Sequence, residues 1–164
     1  MKAHGFIKES SGLYSVSREI SEQDILNAAR EIISRKFRRG ATLSSPQSSI
    51  EFLTHRIALL EHEVFGIIVT DHRHRILASE DLFTGTIDGA SVYPREVVKH
   101  VLRLNGSACL FYHCHPSGVA NPSAADRHIT QRLKDALALV DVRVLDHIII
   151  AGAEHYSFAQ AGLL

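Results

Sequence analysis

Cysteine is scarce in this chain: only Cys109 and Cys114 occur in 164 residues. A closed structural metal site built mainly of thiolates is therefore excluded. The two thiols lie five positions apart on what reads as one strand, so they leave opposite faces and cannot bridge without breaking it. Reduced thiols fit a reducing compartment. Net charge is also missing, since eighteen basic residues offset eighteen acidic ones. No global field draws the chain to nucleic acid or to an anionic membrane. No run approaches the roughly 18 apolar residues of a membrane helix, and the start of the chain lacks the apolar core of a signal peptide. A cytoplasmic protein without a membrane partner is expected. Internal repeats and low-complexity tracts are absent as well.

What is present is enough apolar material, 45% of the residues, for a sizeable core in one compact domain. Residues 1–21 read as a polar N-terminal segment without regular structure. Residues 22–60 read as N-terminal helices. The first helix runs from Ser21 to Arg39, with Ser-x-x-Asp at its start and Ile25, Leu26, Ala29, Ile32 and Ile33 at helical spacing. After a Ser-rich linker, 41–45, Pro46 opens the second, with Ile50, Leu53, Ile57 and Leu60 on one face. Residues 61–164 alternate strand and helix: a hairpin near 63–70 and 75–83, a helix from Pro94 to Asn105, a strand ending at Cys114, a helix after Pro122, and strands near 142–151 and 154–158. This α/β alternation predicts helices packed on a mixed central sheet.

The chemistry concentrates between His113 and Asp126. Strand alternation sends His113 and His115 to one face and Cys114 to the other, so Cys114 reads as a small buried hydrophobe. Asp126 falls in the first turn of the next helix, whose apolar positions are Ile129, Leu133, Leu137 and Val140. Two imidazoles and one carboxylate leave a fourth position for water, which is the catalytic pattern for zinc. Such an ion would lower the pKa of its water to about 7 and polarise a carbonyl. A general base should stand nearby.

His-x-His, seven residues, Ser, two residues, Asp resembles the JAMM motif of the MPN/Jab1 metallohydrolases. His115-Pro116-Ser117-Gly118 with Pro122-Ser123-x-x-Asp126 resembles its RadC-like branch. The likeness runs from about Glu63 to Leu164 and includes Gly85-Thr86, Pro94-Arg95-Glu96, Asp146-His147-Ile148-Ile149-Ile150 and Ser157-Phe158. It implies a three-layer αβα JAB/MPN fold with a mixed central sheet and a cytidine-deaminase-like core, and one Zn2+ per chain held by His113, His115 and Asp126. It also implies a serine, Ser123, that steadies the oxyanion, and an upstream acid, Glu63. Glu61 is the rival two residues earlier, but the family's acid directly abuts the buried strand. The implied activity is zinc-dependent hydrolysis of a peptide or isopeptide bond in a peptide or protein substrate. Two positions depart from the branch: Cys114, where Asn is common, and Tyr93, where His is usual. The deaminases themselves pair His-x-Glu with Pro-Cys-x-x-Cys, and neither occurs here.

Plainer readings stand beside these. Eleven histidines make a chance His-x-His pair plausible, and His72-Arg73-His74 is a second one, in a polar segment that reads as a hairpin turn. Ser123-x-x-Asp126 alone would read as a capping box. Asp146 and His147 read either as core residues or as partners that steer a ligand. Pro94-Arg95-Glu96 reads equally as the start of a helix, while Ser117 and Gly118 shape the loop beside the histidines. Arg35-Lys36-Phe37-Arg38-Arg39 suits a solvated helix end better than a nucleic-acid patch. The helix-hairpin-helix-like region that often precedes the domain in the RadC branch is not recognisable, so nucleic acid is a weaker partner than protein. The alternatives to a hydrolase are a non-catalytic, metal-stabilised module that docks on protein or DNA, and a DNA-processing role.

Overall fold

Two central strands are buried at every position because both of their faces are apolar. They are β3 (Val64–Thr70) and β5 (Ala108–Cys114). The computed structural model describes residues 5–43, 45–85 and 91–164, without the side chains of Ile33, Ser34 and Lys36. Ser44 and Thr86, singled out above, lie outside the described residues. β4 (Ile76–Thr84) pairs antiparallel with β3, and β3 pairs antiparallel with β5. β6 (Arg143–Ala151) runs parallel to β5, and β7 (Glu154–Ser157) closes the order β4-β3-β5-β6-β7. The sheet is mixed, as the alternation of elements predicts.

Helices cover both faces. α2 (Pro46–Ile57) buries Ile50, Phe52, Leu53 and Ile57 and packs on β5 and β6. On the other face α3 (Pro94–Arg103) and α4 (Ala124–Ala138) set Val97, Val101, Leu133 and Leu137 against Phe65, Ile67, Val69, Cys109 and Phe111. The result is the αβα sandwich. α4 is the crossover that joins the parallel strands β5 and β6, so its N-terminus lies at the carboxyl end of β5. Clefts at the carboxyl ends of parallel strands are where α/β sheets bind ligands.

Tyr112, on the α2 face, crosses Gly66 of β3 to donate its hydroxyl hydrogen to Asp81 Oδ1 of β4 at 2.6 Å. Arg56 of α2 reaches the same oxygen at 3.0 Å and donates to Ser79 Oγ at 2.9 Å. A Cβ at Gly66 would fall inside the Tyr112 ring. Glycine is thus the residue that lets helix, ring and edge strand share one anchor.

The turn joining β3 to β4 holds the second His-x-His pair. Asp71 Oδ1 accepts from the N–H groups of Arg73 and Arg75, both at 2.9 Å, and His74 takes a left-handed φ of 58°. It is a hairpin turn, at the opposite end of β3 from the residue that pairs with His113.

The chain forms two compact units, Met1–Lys36 and Phe37–Leu164. In the first, the segment that reads as irregular pairs β1 (Phe6–Lys8) with β2 (Tyr14–Val16). Three-residue strands with exposed side chains carry no legible alternation. α1 (Glu22–Lys36) follows, with Ser21 and Asp24 forming the expected reciprocal cap. It stops short of the expected Arg39. In the second unit Phe37 is buried, its ring stacked on Phe52 at 4.0 Å, and residues 40–43 bond to His74 and Ile76 at the start of β4. Among the described residues no helix is long and apolar enough to cross a membrane.

Gly66→Ala is expected to destabilise the protein by about 1–3 kcal/mol through overpacking, read as a lower urea midpoint. An unchanged midpoint would contradict the role given to the Tyr112 crossing.

Candidate metal centre

β5 delivers His113 to the α4 side of the sheet, where it is 1% exposed. His115 lies one residue beyond the strand but keeps its register, donating its N–H to the Ile150 carbonyl at 2.8 Å. The chain then turns back through Gly118, whose φ of 79° suits glycine. This turn carries the Val119 carbonyl to within 2.7 Å of His115 Nδ1. A carbonyl can only accept, so Nδ1 holds the proton and the lone pair of Nε2 faces inward.

Ser123 is the N-cap of α4, and Asp126 is the third residue of the helix. The cap uses one carboxylate oxygen: Asp126 Oδ2 accepts from Ser123 N–H at 2.7 Å and from Ser123 Oγ–H at 2.6 Å. Ser123 Oγ accepts from Asp126 N–H at 3.1 Å. Both readings of Ser-x-x-Asp meet here, since the cap aims the remaining oxygen, Oδ1, at His113. Burial by itself would raise the Asp126 carboxyl, but bonding to His113, His115 and Ser123 holds it well below the usual carboxylate range. His115 is shifted up, first by its bond to Asp126.

His113 Nε2 stands 2.9 Å from His115 Nε2 and 3.3 Å from Asp126 Oδ1, and His115 Nε2 stands 3.6 Å from Asp126 Oδ2. Two donors each about 2.0–2.1 Å from one tetrahedral ion stand about 3.3–3.4 Å apart. The His113–His115 and His113–Asp126 Oδ1 separations, 2.9 and 3.3 Å, lie at or just below that edge, and one ligand atom from each of the three residues lies within 4.8 Å of the other two. The three residues form a group able to hold a metal ion, whereas His72 and His74 belong to no such group among the described residues.

Phe65 of β3 pairs with His113. Continuing the antiparallel register by two residues sets Glu63 opposite His115 on the same face. The Glu63 charge accordingly contributes to the upward shift of His115. Glu61 is exposed. Cys114 points the other way, with its thiol 3.4 Å from the His62 carbonyl and pushed up by burial. Tyr93 precedes Pro94, which opens α3, and meets Phe83 edge-on at 6.0 Å. Glu96 is paired with Lys99 at 2.9 Å.

Behind the site His147 is fully buried, its Nε2 2.8 Å from His113 Nδ1 and its Nδ1 2.6 Å from Thr130 Oγ1. Asp146 turns to the other face, where it accepts from Ser157 Oγ–H at 2.6 Å and Ala159 N–H at 2.9 Å. Thr130 was not singled out by its sequence context. Its one signal is the helical i+4 offset from Asp126, which many residues share.

This architecture and donor set match known proteins. The family model described as a RadC-like JAB domain matches residues 43–163, beginning ahead of Glu63 because α2 is one of the layers. A UPF0758 protein of Vibrio cholerae is 47% identical over 151 residues, covering 92% of this chain and 95% of its own length. UPF0758 proteins of Stutzerimonas stutzeri and Nitrosococcus oceani are each 53% identical over 140 and 142 residues. The chain spans only 62% and 63% of those two. A domain match over most of the chain, on a fold that sets His113, His115 and Asp126 around one point, has one reading: the chain belongs to the RadC-like JAB domain family.

Proposed function

We propose that this domain is a zinc-dependent hydrolase of the JAMM type, with one Zn2+ per chain, acting on a peptide or isopeptide carbonyl in the cytoplasm. The observation that carries the reading is that one ligand atom from each of His113, His115 and Asp126 lies within 4.8 Å of the other two. Two neutral imidazoles with one carboxylate are the donor set of a catalytic rather than a structural zinc site. When bound, zinc supplies Lewis acidity and brings the pKa of water down to about 7.

The protein's own groups divide the remaining work. Glu63, across the strand pair from His115, takes the proton of the attacking water and returns it to the leaving amine. Ser123 Oγ–H, now donated to Asp126 Oδ2, swings to the oxygen on which negative charge develops. Asp126 stays in place because its Oδ2 still holds Ser123 N–H.

Elemental analysis of the purified protein is expected to find one zinc per chain in wild type and none in His113→Ala or Asp126→Ala. Retention by both variants would remove these residues from the metal site. Glu63→Gln is expected to keep its zinc and lose about 10²–10⁴-fold in turnover on a cleaved peptide or isopeptide; full activity would eliminate Glu63 as the base. Ser123→Ala should cost about 0.5–2 kcal/mol of stability through the lost cap and lower turnover as well. Wild type that binds zinc yet cleaves no peptide or isopeptide would favour the non-catalytic module instead.

A further inference from the structure

We propose that His147 and Thr130 are positioning residues, which hold the His113 ring with its proton on Nδ1 and its Nε2 lone pair turned to the metal. The inference rests on the zinc reading above. It follows from counting hydrogens along one chain of contacts. Thr130 Oγ1 lies 2.5 Å from the backbone carbonyl of Asp126. That carbonyl only accepts, so the single hydroxyl hydrogen of Thr130 is spent there. Towards His147 Nδ1, at 2.6 Å, the same oxygen can then only accept. His147 must therefore carry its proton on Nδ1.

His147 is a neutral ring with one N–H, because it is fully buried and its two ring nitrogens meet only a hydroxyl and another imidazole, with no carboxylate bonded to the ring to balance a charge. Its Nε2 is then bare and accepts from His113 Nδ1–H at 2.8 Å. Each contact has one possible donor, and the chain ends with the Nε2 lone pair of His113 facing His115 and Asp126. Turning the His147 ring over would set carbon atoms at both contacts, and its ring neighbours oppose that. Phe158 stacks on it at 4.9 Å and Phe65 meets its edge at 5.5 Å.

The relay contains no carboxylate. Metal-bound histidines commonly donate to one, which raises their basicity. Here the terminal acceptor is the carbonyl of Asp126, a member of the same donor set, so one turn of α4 both presents a carboxylate and anchors the opposing imidazole. A divalent ion held by two imidazoles and one carboxylate would keep a net positive charge with which to polarise a carbonyl.

The test compares Thr130→Val, which conserves shape and removes the hydroxyl, with Thr130→Ser, which restores it. Zinc affinity, read by competition with a chromophoric chelator, is expected to fall about 10–100-fold in the valine variant and to stay near wild type in the serine variant. Equal affinities in wild type and valine variant would overturn the proposal. Histidine 15N spectra of the metal-free wild type provide a measurement that needs neither folding of a variant nor activity. They are expected to place the His147 proton on Nδ1, and a proton on Nε2 would refute the relay. A wild type that takes up no zinc would defeat the hydrolase reading alone, because those spectra still decide the relay.

Discussion

Three lone pairs converge at the carboxyl end of β5. Two belong to imidazole nitrogens and one to a carboxylate oxygen, all within 4.8 Å of one another. Groups of this kind repel unless a proton or a cation lies among them, so the surrounding fold must hold them against that tendency. It does so from three directions. β5 is hydrogen-bonded on both sides, to β3 and β6, and therefore cannot slip. A shift of one residue would send both histidines to the α2 face. The N-terminus of α4 fixes Asp126 through its own cap, and the turn through Gly118 fixes the His115 ring. The energy of the core is thus spent on maintaining an arrangement that the local groups alone would abandon.

Much of this was legible in the sequence because it is periodic. The central strands follow from apolar runs bounded by polar turns and the helices α2, α3 and α4 from helical spacing and their flanking Pro and Gly, and His113, His115 and Asp126 follow from the offset between a strand end and a helix start. Glu63 was less accessible. Periodicity cannot choose between Glu61 and Glu63, and only the register of β3 against β5 sets one of them opposite His115. Thr130 was not legible at all. It looks like an ordinary residue on the buried side of a helix until the packing of α4 on β6 brings it to His147. The end of α1 was misjudged for a similar reason, since Phe37 is held by Phe52, fifteen positions later in the chain. Contacts between elements carry no periodic trace.

The sheet divides its labour by face. On the α4 side it carries imidazoles and a carboxylate; on the α2 side it carries the Arg56, Tyr112 and Asp81 anchor and the Cys114 thiol. The strict alternation of β5 keeps the two apart. It explains how a cysteine can lie between two histidines of a group able to hold a metal ion without joining it. A purely apolar or amide side chain would meet the same surroundings, so variation at position 114 is a question of packing rather than of ligation.

Phe158 belongs to the turn that follows β7, held there by the bonds of Ser157 and Ala159 to Asp146. β7 is a four-residue strand at the margin of the sheet, the kind of element that frays before the core opens. Each such fraying event would lift the phenyl ring from His147 and free the imidazole to rotate. The orientation of the imidazoles in the candidate site is thereby tied to the breathing of a strand at the sheet margin.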